Sequence, residues 1–298
     1  MREKYEAIQR MQDYIEAHLE SAISLDELAD TAGYSPCHAS RLFKELVGIS
    51  PLDYVRARKL SRAAQKLRDG RGSILEISLD TAFESHEGFT RAFKRTFGLT
   101  PEQYRRETPP ITLFFPRSAR EYYLQYVNGE RPPMENPNMI FIQVIEKPAR
   151  KLILKRGIAA THYFEFCEEV GCDVWGILSS IKNPLYEPLG LWLPPRMQPQ
   201  GTSEYAQGVE VPTSHAGQIP DGMELIDLPA CRMMVFQSQP YQDESMGTVI
   251  GMIQQAIDTY QPSVFGYEWA DDDAPRYQLI PLPERGYIEA RPVKKKKA

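Results

Sequence analysis

Two arginines stand fifty residues apart in nearly the same surroundings. Arg41 lies in SRLFKELVGISPLDYV, residues 40–55, and Arg91 in TRAFKRTFGLTPEQYR, residues 90–105. Phe, Lys, Gly, Pro and Tyr keep register between the two stretches. A guanidinium can pair bidentately with a guanine edge, a carboxylate can accept from cytosine, and hydroxyls serve bases or phosphates. The first copy offers Cys37, Ser40, Arg41 and Lys44 for such contacts; the second offers Glu87, Gly88, Arg91, Lys94 and Arg95. Either arginine alone reads as a solvated charge. At matched positions in two copies, the pair points to contact with duplex DNA. Arg105, with Arg56, Arg58, Lys59, Arg62 and Arg106, is expected to touch phosphate or nothing, which sets affinity and salt dependence rather than sequence choice.

A second set of residues suggests different chemistry. Glu210 and Glu289 fall within strand patterns. A carboxylate on an inward strand face is costly unless paired, so an inward position would point to a cationic ligand. Trp175, Trp192, Tyr205, Trp269 and Tyr287 could wall such a site through cation–π contact, or could be plain core. Two other motifs are set aside. Pro36-Cys37-His38 is similar to the Pro-Cys-His-Arg of alkyltransfer repair proteins, but Ala39 follows and the triplet opens a reading helix. Cys167 and Cys172 with His162 have no second Cys/His pair to complete a tetrahedral metal site, so core packing is expected.

The arginines need helices to present them. Tyr5, Ile8, Met11, Ile15 and Leu19 recur three or four apart, which predicts an amphipathic helix over 4–20. Ser24 with Glu27 forms a capping box ahead of a short helix that stops at Gly33. Pro36 opens a second helix to about Val47, Gly48 ends it, and Pro51 opens a third through Arg68. The cycle returns with Ser73 and Glu76, a turn at Ala82–Ser85, a helix from His86 to Phe97, then Gly98 and Pro101. Leu42, Phe43, Phe89, Phe93 and Phe97 form its apolar faces. Each unit is a short helix, a tight turn and a second helix, the helix-turn-helix plan whose second helix enters the major groove. A solenoid would need about three units, and only two occur. Two units on one chain can place reading helices in successive grooves, about 34 Å apart.

The proline-rich stretch 109–138 reads as a connector that packs locally in part. Beyond it, strand patterns are expected at 139–145, 189–193, 205–211, 224–236, 264–269 and 286–293, with helices at 161–182 and 245–260. That is an α+β region with two related halves and a groove between them.

The composition is that of a globular protein: 42% hydrophobic and 25% charged residues over 298. No apolar run approaches membrane-span length and the N-terminus is charged throughout, so neither a membrane segment nor a secretory signal is expected. Four cysteines make no disulfide framework, and a reducing cytoplasm is the expected setting. Residues 1–108 carry 17 basic and 17 acidic side chains, and 109–298 carry 18 and 23. DNA contact must therefore come from local clustering rather than bulk charge. Lys294–Lys297 reads as a solvated tail.

The segment Leu25–Arg106 resembles the two-motif DNA-binding domain of AraC/XylS transcription regulators. The residues that carry it are LADTAGYS, SRLFKELVGISPLDYVRARKL and AQKL, then ISLDTAFES and FTRAFKRTFGLTPEQYRR. Ala82 stands where that family's second turn has Gly, and Ser78 where it has Ala. In a left-handed turn Ala costs about 1 kcal/mol relative to Gly. Met139–Val293 resembles the GyrI-like effector-binding domain through IEKPARKL, Tyr205 with GVEV, LIDLPACRMMVFQ and YIEARPV.

The expected fold is therefore an all-α DNA-binding domain of two helix-turn-helix units plus an α+β domain of two β-α-β-β pseudo-repeats. Its divisions are 1–108, connector 109–138, effector domain 139–293 and basic tail 294–298. The resemblance implies a ligand-responsive transcriptional regulator, activator or repressor, with no enzyme activity and no cofactor or metal. Its implied partners are double-stranded DNA, a lipophilic cationic effector held by Trp175, Tyr205, Glu210, Trp269, Tyr287 and Glu289, and RNA polymerase. GyrI-like folds also include hydrolases and drug-sequestering proteins. The DNA-binding half separates the readings, because neither alternative needs it.

Overall fold

The computed structural model describes residues 2–83, 85–114, 140–242 and 245–296. Glu84, the connector beyond Phe114, Met139 and the last two residues lie outside them. The chain divides into two compact units, Met1–Glu130 and Arg131–Ala298.

The first unit is helical: α1 Arg2–Ala17, α2 Leu25–Ala32, α3 Pro36–Val47, α4 Pro51–Arg68, α5 Ile74–Asp80, α6 His86–Phe97 and α7 Pro101–Glu107. Both expected capping boxes form. Ser24 Oγ accepts from the Glu27 amide and Glu27 accepts from the Ser24 amide, and Ser73 with Glu76 repeats the arrangement. Each pair satisfies two amides that a helix start leaves without partners. Gly33, Gly48 and Gly98 end their helices at positive φ.

Two cores share one long helix. Ile8, Met11, Ile15, Leu28, Leu42, Phe43 and Tyr54 fill the first. Leu60, Ala64, Leu67, Ile77, Phe89, Phe93 and Tyr104 fill the second. α4 gives Tyr54 and Val55 to one and Leu60, Ala63 and Leu67 to the other, so it is the common wall. Eighteen residues span about 27 Å. The start of the expected connector belongs to this unit. Ile111 and Leu113 are buried in the second core. The Phe114 ring packs edge-on to Tyr54, and its amide donates to Ser61 Oγ at 2.7 Å.

The second turn carries the expected strain. Ala82 sits at φ 49, where its counterpart Gly33 sits at φ 74. The left-handed region crowds Cβ against the following carbonyl, a cost glycine avoids. Ala82→Gly is expected to stabilise the helical unit by about 1 kcal/mol. Urea denaturation followed by far-UV circular dichroism checks this; an unchanged or lower midpoint would show that the turn tolerates its alanine.

Among the described residues, the second unit is a nine-stranded sheet with three α-helices. Its elements are β1 Ile140–Lys147, β2 Arg150–Arg156, α8 Tyr163–Val170, α9 Val174–Leu178, β3 Leu189–Trp192, β4 Tyr205–Val211, β5 Glu224–Leu228, β6 Cys231–Ser238, α10 Met246–Thr259, β7 Tyr267–Trp269, β8 Arg276–Gln278 and β9 Ile288–Lys295. The strand order is β1-β6-β9-β8-β3-β4-β2-β5, with β7 also on β9, and every pairing is antiparallel.

Several elements differ from expectation. Gly171 at φ 107 breaks the long helix of 161–182 into α8 and α9. The strand of 224–236 is two strands, turned at Pro229-Ala230. Of 264–269 only Tyr267–Trp269 is strand, since Pro262–Phe265 forms a 3-10 turn. β2 and β8 are additional. Lys294 and Lys295 continue β9 opposite Glu268 and Tyr267, so the first half of the expected tail belongs to the sheet.

The links between strands dictate a curl. Pro148-Ala149 alone joins β1 to β2, and Pro229-Ala230 alone joins β5 to β6. Each link connects strands six spacings apart in the order, close to 30 Å in a flat sheet. Two residues between strand ends reach about 11 Å. The sheet therefore bends until its two ends meet. Its inner layer is one buried cluster, including Leu152, Leu191, Ala206, Met233, Val235 and Ala290. The opposite face carries two clusters, one under α8 and α9, the other under α10.

Candidate nucleic-acid interface and ligand site

α3 and α6 use matching faces. Ala39, Leu42 and Phe43 are buried on α3; Phe89, Ala92 and Phe93 are buried on α6. The opposite faces expose Cys37, Arg41 and Lys44 on α3, and Glu87, Arg91, Lys94 and Arg95 on α6, with Ser40 and Gly88 half-buried. Arg41 and Arg91 thus occupy the same place on two solvent-facing helices. His38 packs edge-on to Tyr34 and lies 3.3 Å from the Arg41 guanidinium, which biases that side chain along the helix. Ser85 caps α6 by accepting from the Gly88 amide at 3.0 Å. A Cβ at position 88 would stand 3.1 Å from the Ser85 oxygen, so glycine keeps this cap uncrowded.

The flanking cations divide. Arg105, half-buried in the last turn of α7, and exposed Arg106 remain at the surface, Arg106 bonded to Glu107. The α4 cations all have partners within the unit. Lys59 is buried, donates to the Ser21 carbonyl at 2.7 Å, and burial lowers its pKa. Arg58 makes a bidentate pair with Glu16 and donates to the Phe114 carbonyl; Arg62 reaches Glu20. Arg56 pairs with Asp53 one turn away. Arg58, Lys59 and Arg62 tie α4 to α1 and the turn after it. Helical periodicity could not separate them from outward-facing charges, because their partners are some forty residues distant.

In the sheet, the two candidate carboxylates lie on opposite faces. Glu210 shares the face of Ala206 in the inner layer, whereas Glu289 alternates with Ala290 and faces the helices with Tyr287 and Val293. They cannot line one cleft, as the sequence had suggested.

Glu210 is held where the sheet ends meet. Arg150 Nε donates to its Oε1 at 2.6 Å and Lys147 Nζ lies 2.5 Å from its Oε2. All three side chains are at most 3% exposed. Arg150 Nη1 also donates to the Pro148 and Pro229 carbonyls, at 3.1 Å each. One guanidinium therefore clamps both strand links. Lys147 lies over the Tyr277 and Tyr186 rings, at 4.5 and 5.1 Å from their centres. Burial lowers the Lys147 pKa against the pull of Glu210. Glu210 is occupied by this pair of cations.

Glu289, fully buried on β9, stands opposite Gln278 of β8, the strand that meets β3. Arg276 pairs with its Oε1, and the Tyr287 hydroxyl donates to its Oε2 at 3.0 Å. The Arg276 guanidinium stacks over Trp192 at 5.3 Å, and Trp192 packs edge-on to Tyr205 at 5.5 Å. Gln278 lies within 3.5 Å of the Tyr205 hydroxyl and 2.9 Å of the Tyr287 hydroxyl. Burial pushes the Glu289 carboxyl up, with Arg276 and Tyr287 acting against it. Tyr205 and Tyr287 are also pushed up by burial. Tyr205, Tyr287 and Glu289 are thus brought together, with Trp192. Trp175 is instead a buried residue of α9 that packs edge-on to Tyr163, and Trp269 packs on Phe236 beneath Arg291. Arg276 was missed; the signal was that a carboxylate in a strand interior must have a cation nearby. Cys167 and Cys172 lie around the α8–α9 turn, where the Cys172 thiol meets the Cys167 carbonyl at 3.8 Å.

A family model described as a helix-turn-helix domain matches residues 28–107. The transcriptional regulator Rob of Salmonella typhimurium is 45% identical over 108 residues, covering 34% of this chain and 37% of Rob. The multiple antibiotic resistance protein MarA of Salmonella typhimurium is 41% identical over 93 residues, covering 31% of this chain and 73% of MarA. A solved transcriptional regulator of Chromobacterium violaceum with an AraC-type DNA-binding domain is 31% identical, with a TM-score of 0.33, over 34% of this chain and 90% of that one. The match thus spans little more than a third of Rob, and most of MarA. On the strength of its helical unit, this chain belongs to the AraC-type helix-turn-helix family of transcriptional regulators.

Proposed function

We propose that the chain is a ligand-responsive regulator that binds duplex DNA as a monomer, with α3 and α6 in successive major grooves. The observation that carries this is the exposure of Arg41 and Arg91 at the same position of two helices built against one continuous α4. A dimer presents two such helices through an interface; here a covalent helix serves. RNA polymerase is the partner such a regulator engages at a promoter. Footprinting with the full chain tests the reading: protection over about two helical turns is expected, and protection of one major groove would overturn it.

The sheet unit is proposed to be the GyrI-like effector domain. Support comes from its strand pairing, in which β2-α8/α9-β3-β4 and β6-α10-β8-β9 repeat a β-α-β-β order and join at β3–β8. The lipophilic cationic effector would enter at that junction and exchange with Arg276, taking over Glu289 and the Trp192 face. Calorimetric titration with a quaternary ammonium and its isosteric neutral carbon analogue checks this in the wild type and in Glu289→Gln. The variant should lose affinity for the cation alone; equal losses for both would make Glu289 structural. A hydrolase reading is disfavoured by the same geometry, since Glu210 and Glu289 stand on opposite faces and each is neutralised by an arginine.

A further inference from the structure

A cavity of about 640 Å³ opens beside the corner where the sheet ends meet. It lies within the range of small-molecule sites. Its floor includes both strand links, through Pro148, Pro229 and Ala230, followed by Cys231. Four basic and two acidic side chains line it: Lys147, Arg196, Arg232 and Lys294 against Glu146 and Asp273. This basic lining stands in a half of the chain with 18 basic and 23 acidic residues.

The pairing within the cavity sharpens the excess. Arg232 is matched by Glu146 at 2.8 Å, and Lys294 by Glu268 at 3.5 Å. Arg196 is different. It donates to the main-chain oxygens of Asp272 and Asp273 rather than to a carboxylate. Lys147 is also in excess, because it shares the one carboxylate of Glu210 with Arg150. Its side chain is 3% exposed, and two cations against one carboxylate leave a buried surplus of positive charge. Buried charge without a counter-charge is costly, and an anion from solution relieves that cost.

We propose that this cavity is a second ligand site, distinct from the Glu289 junction, and that it takes an organic monoanion: a carboxylate with an apolar body. The carboxylate meets Lys147 and Arg196, while the prolines, Ala230 and Val293 face the body. One surplus charge at the corner suits one negative charge. Because Lys147 belongs to the cluster that holds both strand links, occupancy also stabilises the closed sheet.

The test uses the full-length protein and three probes of one shape: 1-naphthoate, 1-naphthylmethanol and 1-naphthylmethylammonium. Naphthoate is expected to raise the melting temperature and to slow iodoacetamide alkylation of Cys231, read by peptide mass spectrometry with Cys37, Cys167 and Cys172 as internal references. The alcohol and the ammonium should do neither. Arg196→Gln, at the rim, should weaken naphthoate about tenfold or more, as expected for loss of a charge-assisted bond. A saturating quaternary ammonium should leave naphthoate binding unchanged, which separates this site from the junction. Equal protection of Cys231 by the alcohol, unchanged affinity in Arg196→Gln, or displacement of naphthoate by the quaternary ammonium would overturn the proposal.

Discussion

Glu210→Gln is expected to destabilise the sheet unit by about 3–5 kcal/mol, the penalty for breaking a buried ion pair from one side. The substitution keeps the shape and removes only the charge. Arg150 is then left 2% exposed with no counter-ion, and arginine cannot shed its proton to escape. Lys147, equally buried, can. Lys147→Met, which leaves a one-to-one pair, is therefore expected to cost clearly less. The loss should also loosen both strand links, since Arg150 holds their carbonyls. All three tryptophans lie in the sheet unit, so their fluorescence during urea denaturation isolates its unfolding. A shift under about 1 kcal/mol, the size of an exposed pair, would show that water reaches the cluster.

Arg41→Ala and Arg91→Ala should each weaken specific DNA binding by about 1–3 kcal/mol, and each should relax discrimination at its own position. The two sites are in separate cores, so the losses should add to about 2–6 kcal/mol in the double variant. Both side chains are exposed, so the fold should be unaffected. Arg105→Ala should instead weaken all sequences alike and reduce the salt dependence. Fluorescence anisotropy with the footprinted site and its single-base variants decides. If Arg91→Ala keeps the sequence preference intact, α6 is not reading bases, and the strained turn at Ala82 becomes the place to look.

The helical unit was legible because its signals are local. A capping box needs residues three apart, and Ser24 with Glu27 formed as the spacing required. Ala82 could be singled out because a turn's handedness is a one-residue property. The sheet was read less well. β8 is three residues long and leaves almost no pattern, and in β2 lysine and arginine interrupt the apolar alternation. Whether a strand carboxylate faces a ligand or an arginine depends on which strand lies beside it. Glu289 meets Arg276 across neighbouring strands, and Glu210 meets Arg150 across a pairing sixty residues long in sequence. Periodicity gives the face of a residue but never its neighbour. For the same reason Arg58 and Lys59 looked like surface charges.

On the proposed mode of binding, α4 acts as a gauge. It is a rigid member of both cores, so the distance and twist between α3 and α6 are fixed by the number of its residues. Inserting one residue would advance the second unit by about 1.5 Å and swing it through about 100°. A target site is bound by the same constraint, because one extra base pair between the two contacted segments rotates the second by about 34–36°. Target sites for this chain should therefore vary in base identity but not in spacer length. A change in the length of this one helix would alter the spacing and the facing of the second unit together.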